Sequence, residues 1–261
     1  MKRFVIFLPM LLFATVNEPL RLEWLSGYRN DRIHWHVNDY GEEYSNIQFW
    51  ENELALRSIY RDIVFYARGG YGAFGGGGEL KQEPIGQHFS TSGWALDGVT
   101  HVGYAVNLTP DRLYKAMVIP LVGFSGHYER IDRSELPKYY QQTWYGPYIG
   151  GAIRVEPGSR LFFEVGYAYN WFHLRATDQY IFNENLCKLK FKGWDNHGHS
   201  GWAQMDFQVN RDWNLGLFAQ IDYDYSNVHA VIVEQGDVDV RQEFKVRWTP
   251  ISGMIVISRE L

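Results

Sequence analysis

The sequence predicts an all-β protein, a closed antiparallel barrel of ten strands that crosses a membrane. Four short polar turns, near residues 60, 109, 157 and 211, divide the chain into stretches of similar length. Within each stretch, apolar and polar residues alternate out to a polar connection and back, which is typical of the long hairpins of a transmembrane barrel. The chain also combines 17% aromatic residues with a slightly polar mean hydropathy of −0.33. This composition fits a barrel, whose lipid-facing side takes only every second residue.

Length, charge and cysteine content exclude several other classes. The 261 residues contain no linker or charge block, so we expect a single barrel domain over residues 17–261. A helical membrane protein is excluded because no run of about 18 apolar residues is present. The net charge of −5 does not favour nucleic acid as a partner, and the single Cys187 excludes an internal disulfide.

The first 16 residues are predicted to be an export signal. Lys2 and Arg3 form a basic start, and Phe4 to Ala14 form an apolar core of the usual length. A small-x-small cleavage site is missing, and we place the cut after Ala14. The alternative is a buried strand or helix at this end of the chain. Export together with a barrel pattern predicts a bacterial outer membrane.

The strands of the first half alternate less regularly than those of the second half. Near Asn30 and Asp31 the first strand changes phase, which indicates a β-bulge. Glu51 and Arg57 share one face of the second strand. The fifth strand is apolar on both faces and carries Pro120. The predicted strands are 20–38, 45–59, 62–74, 93–107 and 112–128.

Alternation is clearest in the second half. The odd positions of one strand are Leu161, Phe163, Val165, Tyr167, Tyr169 and Trp171, and the even positions are Phe162, Glu164, Gly166, Ala168 and Asn170. A period of two places these sets on opposite faces, the first suited to lipid and the second to a polar lumen. The strands predicted here are 139–156, 159–176, 190–210, 213–230 and 238–250.

The end of the last strand has two interpretations. Phe244, Val246 and Trp248 alternate with charged residues, and the alternation weakens near Pro250. In the first interpretation, Trp248 is the terminal aromatic anchor and a tail follows it. In the second, the strand bends and continues through residues 254–257.

Short turns belong on the periplasmic side of such barrels and longer connections on the extracellular side, so an even strand count places both termini in the periplasm. The longer connections are expected at 38–45, 75–91, 129–138, 178–190 and 235–237. Six tryptophans are expected in the interfacial aromatic girdle: Trp24, Trp50, Trp94, Trp171, Trp194 and Trp213. Inward charges of both signs predict a lumen filled by paired groups rather than an open ion path. They are Glu51, Glu53, Arg57, Asp97, Arg154, Glu164, Asp206, Asp222, Asp224, Glu243, Lys245 and Arg247.

Several strings resemble the omptins, the ten-stranded outer-membrane endopeptidases. Tyr148-Ile-Gly150 and Phe163-Glu-Val-Gly166 are similar to the family's sixth and seventh strands, and Arg68-Gly69-Gly70 is similar to the motif before its second loop. The strand plan covers nearly the whole chain and the strings about a quarter of it. The short segments Asn30-Asp31-Arg32 and His34-Trp35-His36 also resemble sequences of outer-membrane proteins of environmental chlamydiae.

The omptin resemblance implies an Asp-x-Asp pair soon after Gly70 and an Asp-His couple in the fourth loop, where a polarised water attacks the peptide bond. This sequence has Phe74 and Gly76 near the expected pair. The nearest match to the couple is Asp178 followed by Tyr180, and a tyrosine is a poor base at neutral pH. The resemblance therefore predicts the omptin fold without the omptin catalytic residues.

Two other groups are candidate sites. Asp195 and His197 lie two residues apart, as an acid that orients a histidine would, and His197 and His199 could share a metal. His34 and His36 share a strand face and could chelate a metal, although a third ligand is not evident. For both groups the ordinary alternative, polar residues at a loop edge or rim, carries more weight.

These observations favour a monomeric, non-catalytic surface or envelope protein without a cofactor. Its expected partners are outer-membrane lipid, the barrel assembly machinery, and lipopolysaccharide or a host ligand at the outer connections. The alternatives are an omptin-related cell-surface hydrolase that uses Asp195 and His197, and a narrow porin.

Overall fold

A computed structural model describes residues 16–37, 40–76, 78–83, 87–109, 114–133, 138–158, 160–182, 185–234 and 237–261. Twelve β-strands account for nearly all of these residues. They are β1 (Glu18–Val37), β2 (Tyr40–Tyr60), β3 (Ile63–Gly76), β4 (Gly78–Glu83), β5 (Gln87–Tyr104), β6 (Val106–Asn107), β7 (Tyr114–Arg133), β8 (Lys138–Pro157), β9 (Leu161–Phe182), β10 (Asn185–Gln208), β11 (Trp213–Glu234) and β12 (Asp237–Glu260). No helix in the described ranges is long and apolar enough to cross a membrane.

The twelve strands form a closed antiparallel barrel of ten walls. β3 and β4 are two parts of one wall, because both lie between β2 and β5. β6 continues the wall of β5 and pairs with β7. The ring closes where β1 pairs with β12, from Arg21 opposite Glu260 to His36 opposite Lys245. The predicted fold class and strand count are therefore confirmed.

The strands extend further than predicted. Residues 78–83 and 87–91, expected to lie in a connection, are paired with β2 and with each other. β12 passes Pro250 and stays paired with β1 as far as Glu260, which agrees with the second interpretation of the last strand. The predicted export signal lies outside the described residues except for Val16, which packs in the lumen beside Ile59 and Val64.

Tight connections and both described ends of the chain lie at one end of the barrel, which we call the turn end. Arg61 and Asp62 join β2 to β3 with φ values of +50° and +68°, as a two-residue hairpin turn with a matching twist requires. Gly158, with φ of +89°, lies in the connection from β8 to β9. Asp62 also accepts a hydrogen bond from the Val16 backbone. The opposite end is called the far end.

The half of the barrel near the turn end has an apolar exterior, and its interior combines charged groups with apolar clusters. Exposed large side chains cover every wall there, among them Leu22, Leu54, Phe65, Val122, Ile153, Val165, Phe207, Leu217 and Ile255. Aromatic residues edge this band on both sides. The far row contains Tyr28, Trp50, Tyr71, Trp94, Tyr128, Tyr145, Tyr169, Trp171 and Tyr223, many of them in ring contact. The turn-end row contains Tyr60, Tyr104, Tyr114 and Trp213.

In the far half this polarity is reversed, which corrects part of the predicted lumen. Lys245 and Arg247 were expected inside but are exposed, while Val246 and Trp248 are buried. The reason is that the wall extends past the apolar band, where a charged exterior is favourable and apolar side chains turn inward. The inward set forms one cluster: Ile33, Trp35, Tyr44, Ile47, Phe49, Ala95, Ile131, Tyr140, Trp144, Phe172, Leu174, Ala176, Val246 and Trp248. The side chain of Glu243 lies outside the described residues.

Candidate functional site in the barrel lumen

An ion pair crosses the centre of the lumen. Arg57 on β2 donates from Nη1 to Glu164 Oε2 at 2.6 Å and from Nη2 to Gln204 Oε1 at 3.2 Å. Trp202 Nε1 donates to Glu164 Oε1 at 3.3 Å. β2 and β9 are five walls apart in the ring of ten, so this pair joins opposite sides of the barrel. A Cβ on Gly166 would lie 2.1 Å from the Trp202 ring, so the ring occupies space that only glycine leaves.

Further ion pairs lie closer to the turn end. Arg154 on β8 donates to Glu18 on β1 at 2.9 Å, again between opposite walls. Arg21 donates to Asp206 on β10 at 3.1 Å. These side chains are all buried or half-buried. The predicted pairing of inward charges is thus confirmed for this half of the lumen.

Closer to the far end of the lumen, Arg29 contacts three carboxylates. Its guanidinium contacts Asp31, with Nε 2.8 Å from Oδ1, and pairs with Glu51 and Asp97 through Nη1. It also lies over the Phe49 ring, 4.8 Å from the centroid. Three walls meet at this cation, because Arg29 and Asp31 are on β1, Glu51 is on β2 and Asp97 is on β5.

His127 connects this cluster to β7. It stands directly opposite Asp97 in the β5–β7 pairing, and the two side chains are joined from Nδ1 to Oδ1 at 2.7 Å. Its Nε2 lies 3.4 Å from Glu129 Oε2. The imidazole stacks on the Trp248 indole with 4.0 Å between centroids. The Trp248 Nε1 in turn donates to Asp31 Oδ2 at 3.2 Å.

On the turn-end side of His127, the lumen contains a cavity of about 100 Å³. Trp144, Phe172 and Trp248 line its far side, and Arg57 and Trp202 line its side toward the turn end. Asp222 and Asp224, consecutive inward residues of β11, also line it. Oδ1 of each aspartate has no hydrogen-bond partner among the described residues.

This arrangement contains the parts of a general-base centre. Asp97 orients His127, and two further carboxylates face the same cavity. A base must reach the substrate atom from which it takes a proton. The cavity measures about 100 Å³ and lies beneath the apolar cluster of the far half, so it is too small for a peptide segment beside His127.

The sequence-predicted candidates lie elsewhere. His197 and His199 are exposed on the exterior of β10, where His197 stacks on Tyr169 and His199 contacts Tyr167. They therefore continue the far aromatic row. The Asp195 side chain lies outside the described residues.

The remaining candidates are also dispersed. His34 is half-buried on the exterior of β1, and the His36 side chain lies outside the described residues. Asp178 is fully buried on β9, where its backbone pairs with Tyr140. Phe74 and Gly76 are part of β3, and neither residue is the carboxylate that the omptin resemblance implies.

Sequence reasoning did not find His127, Glu129 and Asp31 as a cluster. His127 lay near the end of the irregular fifth strand, and Glu129 was placed in a connection. One available signal was the alternation of His127, Glu129 and Ile131 with Tyr128 and Arg130, which extends the strand past 128.

Fold and lumen together place the chain in the class of outer-membrane β-barrel folds. Among solved structures, the outer membrane protease OmpT from Escherichia coli matches with a TM-score of 0.74 at 10% identity, over 95% of this chain and 99% of that chain. The transport unit of the autotransporter AIDA-I from Escherichia coli gives 0.48 at 8% identity, over 97% and 94%. OprG from Pseudomonas aeruginosa gives 0.42 at 12% identity, over 95% and 99%. No family model and no curated protein matches the chain. At this identity the OmpT likeness establishes the omptin fold alone.

Proposed function

We propose that this protein is a non-catalytic structural protein of the bacterial outer membrane, with a lumen that is sealed to ions and solutes. The observation that carries this proposal is the Arg57–Glu164 pair, which joins opposite walls beneath the apolar cluster of the far half. In the membrane, we place the turn end on the periplasmic side and the far end on the extracellular side, because short turns of such barrels face the periplasm.

The exterior supports insertion into a bilayer. Trp213 and Tyr223 belong to the two aromatic rows and are ten residues apart on β11. Ten residues rise about 33 Å along a strand, which is about 25 Å along the barrel axis at a tilt of about 40°. This matches the height of the apolar band in outer-membrane barrels, about 25 Å.

A porin role has little support in the lumen. A conducting pore needs a continuous water path, whereas ion pairs cross the lumen at Arg57 and Arg154. The hydrolase role is disfavoured by the exterior position of His197 and by the small cavity at His127.

Solute flux into proteoliposomes tests the sealed lumen. Vesicles that contain the folded protein should swell in an arabinose gradient no faster than protein-free vesicles, while a porin in parallel vesicles should accelerate swelling. A dibasic peptide should also stay intact with wild type and with His197→Ala in the presence of lipopolysaccharide. Protein-dependent swelling, or cleavage that His197→Ala abolishes, would contradict the proposal.

A cationic surface supports a second role, the binding of anionic lipid headgroups such as the phosphates of lipopolysaccharide. We define the basic face as the exposed far-half residues Arg175, Lys190, Lys192, Lys245 and Arg247 on β9, β10 and β12. Lys192 lies directly opposite Arg175 in the register of β9 and β10, and Arg247 lies over the Tyr223 ring, 5.9 Å from the centroid. Among the described outward side chains of this half of β9–β12, none is acidic.

The basic face lies directly beyond the far aromatic row, at the level where lipid phosphates would lie if the row marks the bilayer interface. Neutralising three of its lysines should therefore weaken binding to lipopolysaccharide. At about 1 kcal/mol per charge, the loss is about 3 kcal/mol, or about 100-fold. The variant is Lys190→Gln, Lys192→Gln and Lys245→Gln.

A matched control removes three exposed cations at the turn end, Lys115, Arg160 and Arg211, each replaced by glutamine. This control should bind lipopolysaccharide as wild type does. Binding is measured by titration of the refolded proteins at two salt concentrations, since screening should weaken it. An equal effect of both triple variants would refute a specific role of the basic face.

A further inference from the structure

Three side chains from two distant walls converge in the far half of the lumen. One ligand atom each from Asp31, His127 and Glu129 lies within 4.8 Å of the others. Asp31 is on β1, while His127 and Glu129 occupy successive inward positions of β7, four walls away in the ring. All three residues are buried, and Asp31 and Glu129 are 0% exposed.

The histidine is oriented as a metal ligand would be. Nδ1 lies 2.7 Å from Asp97 Oδ1, and when Nδ1 carries the proton of a neutral imidazole, the lone pair of Nε2 is available for a cation beside Glu129. Carboxylate–histidine–metal triads have this arrangement. The 3.4 Å separation of Nε2 and Glu129 Oε2 is also about the ligand–ligand edge of a tetrahedral site with bonds of about 2.1 Å.

Outer contacts hold the two carboxylates. Gln142 Nε2 donates to Glu129 Oε2 at 3.0 Å, and Trp248 Nε1 donates to Asp31 Oδ2 at 3.2 Å. Glu129 Oε1 is enclosed and has no hydrogen-bond partner in the described part of the chain. A buried carboxylate oxygen without a donor is costly, so this atom indicates a missing positive partner.

The charge balance points the same way. Asp31, Glu51 and Asp97 contact the guanidinium of Arg29, and Glu129 contacts His127, so carboxyl groups outnumber the permanent cation of this cluster. A divalent cation would offset the carboxylates that ionise here, and uncompensated buried charge destabilises a fold.

We propose that Asp31, His127 and Glu129 bind a divalent first-row transition-metal ion of the Zn²⁺ type, which cross-links β1 to β7 inside the barrel. One imidazole nitrogen and two carboxylate oxygens, without a thiolate, suit such an ion. The role is structural, because the site lies within the apolar cluster of the far half.

Zinc content tests this proposal. Protein refolded in detergent with Zn²⁺ and then dialysed should retain one equivalent by elemental analysis. Glu129→Gln keeps the side-chain shape, so the barrel should fold, yet it should lose the equivalent. Glu43→Gln, on the exterior beside Arg32, is the matched control and should retain it.

Two further variants separate ligation from folding. Asp97→Asn keeps a group beside His127 but weakens its orientation, so zinc affinity should fall about 10- to 100-fold. With Co²⁺ in place of Zn²⁺, the wild type should show the visible absorption of cobalt bound to an imidazole. His127→Gln should abolish this absorption, whereas His199→Gln should preserve it. Folding of each variant is monitored by its heat-dependent gel mobility. A wild type that retains no zinc, or zinc retained equally by folded Glu129→Gln, would overturn the proposal.

Discussion

Replacing Arg57 with methionine should destabilise the barrel by about 3–5 kcal/mol, the usual cost of removing one partner from a buried ion pair. Arg57 is the sole described cation within ion-pair distance of both Glu164 and Glu23, at 2.6 and 3.6 Å. Its side chain is 8% exposed, and so is that of Glu164. The variant therefore leaves two carboxylates in the lumen without their cation.

The magnitude distinguishes a sealed lumen from a wet one. If water filled the space around Arg57, the same pair would contribute about 0–1 kcal/mol, as exposed pairs do. The pair Arg32–Glu43 is a control of that kind, since the Arg32 side chain is 65% exposed. Arg32→Met should thus change stability by less than about 1 kcal/mol.

A double-mutant cycle with Glu164→Leu completes the test. When both partners become apolar, the uncompensated charge of Glu164 disappears while that of Glu23 remains, so the double variant should be more stable than the sum of the single variants implies, by several kcal/mol. Stability is measured by urea unfolding in detergent, followed by tryptophan fluorescence. Additive single effects, or an Arg57→Met cost below about 1 kcal/mol, would refute the reasoning.

Three other substitutions should change the free energy of unfolding in directions that the same assay can measure. Trp248→Ala should cost about 3–5 kcal/mol, because it removes a buried indole from the far-half cluster; a cost under about 1 kcal/mol would contradict that packing. Asp224→Asn should stabilise by about 1–3 kcal/mol, since the carboxylate has an unpartnered oxygen; a loss of stability would show that its charge is compensated. Gly166→Ala should cost about 1–3 kcal/mol through collision with Trp202, whereas Gly253→Ala, with open space at its Cβ, should be nearly neutral; equal effects would contradict the close approach.

Alternation alone predicted the walls because successive side chains of a regular β-strand point to opposite faces. Between residues 161 and 171, every predicted lipid-facing side chain lies outward, and Phe162, Glu164 and Asn170 are buried. Alternation does not tell which of the two faces of a strand points into the lumen. Lys245 and Arg247 alternate as regularly as those residues, yet they lie outside, because the wall there is beyond the apolar band.

The lumen cluster depended on register, which a single sequence does not specify. Asp97 meets His127 because the β5–β7 pairing sets them opposite each other, and Asp31 reaches them across the barrel. Each residue alone looked like an ordinary inward polar group. The prediction that inward charges pair was nevertheless sound for Arg57 and Glu164, since a closed ten-stranded barrel leaves them no bulk water.

Single-molecule conductance tests the sealed lumen most directly. One barrel inserted in a planar bilayer in concentrated potassium chloride should give no discrete current steps, because in the sealed lumen that we propose the ion pairs and the far-half cluster interrupt the water path. Insertion is verified independently by protease protection of the reconstituted protein. Reproducible ion-selective steps from the inserted wild type would contradict the sealed lumen.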